Sequence, residues 1–259
     1  MTAKYRLAAS AEMLFQELDF IERVKHISAR GFEVEIWSWT NKNLTELAAT
    51  GATFSSMTGY IEGDLLDDDG IEKLLSTARQ SLEASQIIDC PRLNIHGTGL
   101  DANGQAIKQK MGTSAAEFAT AVKTLSRLAQ LGAEFGRVFT LENLNLLVDH
   151  PATPFALASE TLALVKAVDH PNLRLNLDLY HAQIGEGNLT ELVVECFDYI
   201  GEIQVADVPG RMQPGTGEIN YARIASELKA LGYSGVVGLE GWAQGDSELA
   251  LDDFSNAFA

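Results

Sequence analysis

Short apolar runs alternate with longer amphipathic stretches along most of the chain. The runs cover 5–10, 32–37, 52–59, 92–97, 138–143, 173–181, 201–207 and 235–241. Each is bounded by turn-forming residues and predicts a buried strand. Between them apolar residues recur at i, i+3 and i+4, which predicts helices over 19–31, 71–88, 114–136, 190–201 and 219–232. In the first of these Phe20, Ile21, Val24, Ile27 and Ala29 favour one side, and Gly31 ends it. The third opens on Ser114 with Glu117 three positions on, a capping-box pattern. Several helices close on glycine, where the chain must turn through positive φ.

Eight strands alternating with helices argue for a parallel sheet. An open, doubly wound sheet binds its ligand at one switch point, whereas a closed barrel brings every strand C-terminus to one mouth. Four successive runs end on an oxygen-bearing side chain: Glu142 in VFTLEN, Asp178 in LRLNLDLYH, Gln204 in GEIQVAD and Glu240 in GVVGLEG. They are separated by 36, 26 and 36 residues, each about one βα unit. Convergence of all four predicts an α/β fold, a (β/α)8 TIM barrel forming a single domain over residues 1–259.

Carboxylates gathered at one mouth repel one another unless a cation or a shared proton neutralises them. Three carboxylates and an amide offer only oxygen, which suits a hard divalent metal, Mg²⁺ or Mn²⁺, better than zinc. Two glutamates flanking such a metal permit one reaction type. One removes a proton beside a carbonyl, charge builds on the enediolate oxygens, and the other returns a proton at the neighbouring carbon. His181, which follows Asp178 in DLYH, could bond a substrate oxygen or a metal-bound water; capping loop backbone is its plainer role. His96, at the end of the fourth run, could also line the mouth. Arg211 lies in a Pro- and Gly-dense stretch, VADVPGRMQPGTGE, and could clamp a carboxylate or simply pair with Asp207 or Glu218. Trp37, Trp39, Phe54 and Trp242 stand near strand ends, either as an apolar wall or as ordinary packing, while His26, His150 and His170 have no special context.

Composition narrows the function classes. A formal charge of −17 repels phosphate backbones and sets nucleic acid aside as a partner. No apolar run approaches the ~20 residues that span a bilayer, and the N-terminus lacks a signal-peptide pattern, so no membrane partner is expected. Two distant cysteines, Cys90 and Cys196, fit packing in a reducing, cytoplasmic location. No GxGxxG follows the first strand, and GxxxxGK[ST], GxSxG and HExxH are absent, so no nucleotide cofactor is expected. The partner is then a small molecule, an oxo acid or a sugar; the oligomeric state, homo-oligomer included, stays open.

The segments LENLN, NLDLYHAQ, IQVADVPGRMQPGTGEINY and GVVGLEGW resemble the hydroxypyruvate isomerase family of xylose isomerase-like TIM barrels. The resemblance is specific over residues 138–243 and looser before them. It implies Glu142 and Glu240 as the acid/base pair, both also ligating a metal whose site Asp178 and Gln204 complete. It implies His181 and Arg211 as substrate-holding residues. The reference reaction converts hydroxypyruvate to tartronate semialdehyde; 2-oxo-tetronate isomerisation, ketose 3-epimerisation and inosose isomerisation are alternatives on the same site. Met212 stands where the family often has His, IWSWTNKN replaces an aromatic-Pro-Tyr pattern, and NIHGTGLDANG is unusual. These departures bear on the substrate and not on the reaction type.

Overall fold

A computed structural model describes residues 5–101 and 103–259. Eight parallel strands close in chain order: β1 (Arg6–Ser10), β2 (Glu33–Glu35), β3 (Phe54–Thr58), β4 (Arg92–Ile95), β5 (Val138–Glu142), β6 (Leu173–Asp178), β7 (Ile200–Val205) and β8 (Val236–Leu239). Pairing of β1 with β8, from Arg6↔Val236 to Ala9↔Leu239, completes the barrel. Outside it run α1 (Phe20–Ala29), α2 (Leu44–Ala49), α3 (Asp68–Ile87), α4 (Ala115–Phe135), α5 (Ala158–Val168), α6 (Leu179–Gly185), α7 (Leu189–Cys196), α8 (Tyr221–Leu231) and α9 (Ser247–Ala257). The predicted TIM barrel is therefore the observed fold.

Local chemistry sets the boundaries. Helix α4 begins where Ser114 and Glu117 form the expected reciprocal cap, and it ends at Gly136 with φ 64°. Strand β6 stops three residues before the predicted end at His181. The Asp178 Oδ1 accepts the His181 backbone N–H at 2.9 Å and so caps a new helix, α6. His181 thus sits on a helix rather than in a loop.

Strand alternation divides the residues into two faces. Leu93, Ile95, Phe139, Leu141, Leu175, Leu177, Ile203, Val205, Val237 and Leu239 are buried and belong to one apolar core with Leu74, Leu82, Leu125, Leu128, Leu162, Val165 and Leu228 of the helices. Each such side chain contributes about 1.5–3 kcal/mol by leaving water. Several of the alternate positions are polar and face the barrel axis. Arg92 Nε donates to Glu202 Oε2 at 2.8 Å, with Glu33 3.8 Å from the same guanidinium. Gln204 Nε2 donates to Glu35 Oε2 at 3.3 Å, and Asn176 Nδ2 donates to Gln204 Oε1 at 2.6 Å. Gly238 leaves room for Glu35: a Cβ there would lie 1.8 Å from Glu35 Oε1.

Candidate active site

The strand ends converge on a cavity of about 610 Å³ whose walls include Trp37, Tyr60, His96, Glu142, Asp149, His150, His181, Arg211 and Glu240. Asp178 lies just behind it. Its backbone is clamped by Asn143, which donates Nδ2 to the Asp178 carbonyl and accepts the Asp178 N–H, both at 2.9 Å. With Oδ1 spent on the α6 cap, Asp178 Oδ2 has no hydrogen-bond partner among the described residues. Burial, opposed by Arg211 and reinforced by Glu142 and Glu240, holds the Asp178 carboxyl well above the usual carboxylate range.

Glu142 and Glu240 have different environments. Glu142 Oε2 accepts from Asn94 Nδ2 and lies 3.1 Å from His96 Nε2. Burial would raise the Glu142 carboxyl, but His96, Asn94 and Arg211 outweigh it and hold it below its ordinary value. Glu240 Oε1 accepts from Trp37 Nε1 at 2.7 Å, and Oε2 pairs with Arg211 Nη2 at 2.5 Å. There burial wins, opposed by Arg211 and helped by Glu142, and the carboxyl is raised.

Arg211 is delivered by a tight loop. Its φ of 57° is left-handed, a conformation that costs a residue with a side chain about 1–2 kcal/mol. Arg211 N donates to the Asp207 carbonyl at 3.0 Å, and Trp242 N donates to the Arg211 carbonyl at 2.8 Å. The Asp207 carboxylate accepts from the backbone N–H groups of Val208, Gly215 and Ile219, so it shapes the loop and does not pair with Arg211. Glu218 is engaged by Gln183 instead. The guanidinium serves Glu240, stands 3.8 Å from Asp178 Oδ2, and lies 5.1 Å over the Tyr180 ring.

One Glu142 oxygen, one Asp178 oxygen and a His181 ring nitrogen lie within 4.8 Å of one another. The donors fit a divalent cation: Glu142 and Asp178 are both buried, Asp178 Oδ2 has no hydrogen-bond partner among the described residues, and Arg211, 3.8 Å from it, is already paired with Glu240. Gln204 lies deeper, its amide held by Asn176 and Glu35, while its oxygen keeps a second lone pair. Among the other expectations, His96 lines the cavity and its Nδ1 meets Tyr60 Oη at 2.8 Å. Trp37 belongs to the wall, but Trp39 turns away to Ser81 and Phe54 is core.

Several cavity residues carried no recognised signal in the sequence. Asn94, Tyr60, Asp149 and His150 all line it. His150 has no special context in the sequence, yet it is buried 5.1 Å from the His181 ring with Nδ1 on the Gly104 carbonyl at 2.6 Å. Asn94 was detectable in retrospect, two residues before His96 and so on the same face. The unusual segments IWSWTNKN and NIHGTGLDANG supply Trp37, Ser38, His96, Leu100, Asp101, Asn103 and Gly104 to the wall.

The sequence profile of the xylose isomerase-like TIM barrel family matches residues 20–255. A 2-oxo-tetronate isomerase of Pectobacterium atrosepticum is 29% identical, covering 95% of either chain. The hydroxypyruvate isomerase of Escherichia coli is 27% identical over 95% of this chain and 96% of its own. A solved structure from Brucella melitensis, described as an AP endonuclease of family 2, superposes with a TM-score of 0.84 at 28% identity and covers 98% of this chain and 99% of its own.

Proposed function

The chain belongs to the xylose isomerase-like TIM barrel family, and from that premise we propose that it is a metal-assisted isomerase of a small hydroxy-carbonyl compound. The observation that carries this reading is the pair Glu142 and Glu240 on one cavity, with environments that push their proton affinities apart. Glu142, held ionised by Asn94 and His96, takes the proton from the carbon beside the carbonyl. The electron pair moves onto the carbonyl oxygen, giving an enediolate. Glu240, whose carboxyl burial pushes up, gives a proton to the neighbouring carbon while the hydroxyl proton passes to the former carbonyl oxygen, so carbonyl and hydroxyl exchange places. Return of the proton to the original carbon from the opposite face would be epimerisation.

Glu142 and Asp178 would hold the divalent cation, with Gln204 and Glu240 as the remaining oxygen ligands. Hard oxygen donors favour Mg²⁺ or Mn²⁺. When bound, the cation supplies positive charge opposite the oxygens that become negative. His181 and Arg211 orient the substrate, and His96 supports Glu142. Hydroxypyruvate to tartronate semialdehyde is the reference reaction, supported by the name of the Escherichia coli relative, while the name of the Pectobacterium relative supports a 2-oxo-tetronate instead.

One observation favours a second reading, an uncharged ketose as substrate. Among the described residues Arg211 is the one arginine or lysine on the cavity wall, and it is already shared by Glu240 and Asp178, while Asp101 and Asp149 add negative charge. A cavity of about 610 Å³ also exceeds what a three-carbon acid fills. The same acidic wall opposes a nucleic-acid substrate, so the nuclease description of the Brucella structure is not carried over.

The test is deuterium uptake from D₂O, followed by NMR with Mg²⁺ or Mn²⁺ present, across three- to six-carbon oxo acids and ketoses. Glu142→Gln and Glu240→Gln should each lower exchange by about 10²-fold or more. No exchange into any compound would refute the isomerase reading. Arg211→Ala then separates the two substrate classes, costing affinity strongly for an acid and weakly for a ketose.

A further inference from the structure

Asn145 is fully buried, and its amide can face only one way. Its Oδ1 accepts the backbone N–H of Val148 at 2.9 Å and of Asp149 at 3.0 Å. A backbone N–H only donates, so the oxygen must point there and the NH₂ group must point away. That NH₂ has two hydrogens. One goes to Asp149 Oδ2 at 2.6 Å and the other meets His181 Nδ1 at 2.7 Å. His181 Nδ1 therefore accepts. A neutral imidazole whose Nδ1 accepts carries its hydrogen on Nε2. Ionising the ring would set Nδ1–H against the Asn145 N–H, so the same contact keeps it neutral.

His181 Nε2 has no hydrogen-bond partner among the described residues, although the side chain is fully buried. The nearest acids, Glu142 Oε1 at 3.8 Å and Asp178 Oδ2 at 3.9 Å, are beyond hydrogen-bond reach. The ring is held edge-on by His150 and Tyr180, each 5.1 Å away. His150 has the opposite arrangement: its Nδ1 meets the Gly104 carbonyl oxygen, which only accepts, so Nδ1 carries the hydrogen and Nε2 keeps a lone pair.

We propose that Asn145 is a positioning residue that fixes His181 as a neutral Nε2–H donor, held for an oxygen of the bound substrate. A histidine in this state offers no lone pair at Nε2, so it is neither a ligand of the cation nor the proton acceptor. The cation site is then built from oxygen alone. The substrate oxygen rests on the isomerase reading; the tautomer does not, because it belongs to the resting protein.

The test is ¹⁵N-histidine NMR of the metal-free protein, reading two-bond ¹H–¹⁵N correlations. The expected pattern is opposite tautomers for the two buried rings, Nε2–H for His181 and Nδ1–H for His150, with the His181 signal kept when diamagnetic Mg²⁺ is added. Nδ1–H or a doubly protonated ring at His181, or loss of its Nε2–H on Mg²⁺ binding, overturns the proposal. Asn145→Asp replaces the donor by an acceptor and should move the His181 hydrogen to Nδ1. It should also lower kcat/KM by about tenfold or more, the weight of one lost hydrogen bond to the substrate. An unchanged tautomer and unchanged kcat/KM in that variant would also overturn it. Absence of exchange activity with the expected tautomers in place would refute the isomerase reading alone.

Discussion

Gly238→Ala adds one methyl group inside the barrel and should be costly for a single reason. No positive φ occurs at Gly238, so alanine is allowed there and any penalty comes from space. The new Cβ would stand 1.8 Å from Glu35 Oε1 and 2.6 Å from its Cδ. Glu35 is 2% exposed, and its carboxyl also accepts from Gln204, so it cannot swing into solvent. Overpacking of this kind costs about 1–3 kcal/mol, and losing the Gln204 hydrogen bond adds about 1 kcal/mol. The restricted unfolded chain returns about 0.5 kcal/mol, leaving a net loss of roughly 1.5–3.5 kcal/mol. For a chain of this size that lowers Tm by roughly 3–14 °C. Urea unfolding with a reversibility check measures it, alone and in a Glu35→Ala background, where the clash is gone. Equal losses in both backgrounds, or a loss below about 1 kcal/mol in the first, would refute a close contact between Glu35 and Gly238.

Two further outcomes follow from the same groups. Burial first, then Glu202 and Glu240, raises the Glu35 carboxyl well above 4.5. The native state therefore keeps a proton that the unfolded chain releases; stability is full below about pH 4.5 and declines as pH rises toward the native value. Glu35→Gln should flatten that decline above about pH 4.5 in a Tm-versus-pH series, and a slope unchanged from wild type would contradict the assignment. Arg211→Met leaves Glu240 and Asp178 buried without their cation and should destabilise the metal-free protein by about 3–5 kcal/mol. Saturating Mg²⁺ should raise the variant's urea midpoint more than the wild type's, and equal responses would argue against a shared carboxylate site.

The barrel was legible because its signals are local. Strand and helix periods, the Ser114–Glu117 cap and the polar ends of four strands each lie within one stretch of sequence. Glu142, Asp178, Arg211, His181 and Glu240 could be named because each breaks a local pattern. What stayed hidden depends on closure. Glu35 meets Gln204 across 169 residues, and Trp37 meets Glu240 across 203. His150 looked ordinary because the carbonyl that orients it belongs to Gly104, 46 residues earlier. The α6 cap was missed for a different reason: Asp178 ends an apolar run and starts a helix with the same side chain, so the strand pattern masked the helix signal.

The Arg92–Glu202 pair has a consequence for synthesis of the chain. Its partners are 110 residues apart and meet across the barrel interior. Arg92 belongs to the fourth strand and Glu202 to the seventh, so neither half of the barrel contains both. A C-terminal half alone would bury Glu202 with no guanidinium, a loss of about 3–5 kcal/mol. An N-terminal half would leave Arg92 with only the more distant Glu33. At roughly 5–20 residues per second, translation exposes the incomplete half for about 5–20 s before Glu202 is made. During that interval Arg92 has no Glu202 to meet, and the pair can form only once β7 has been made.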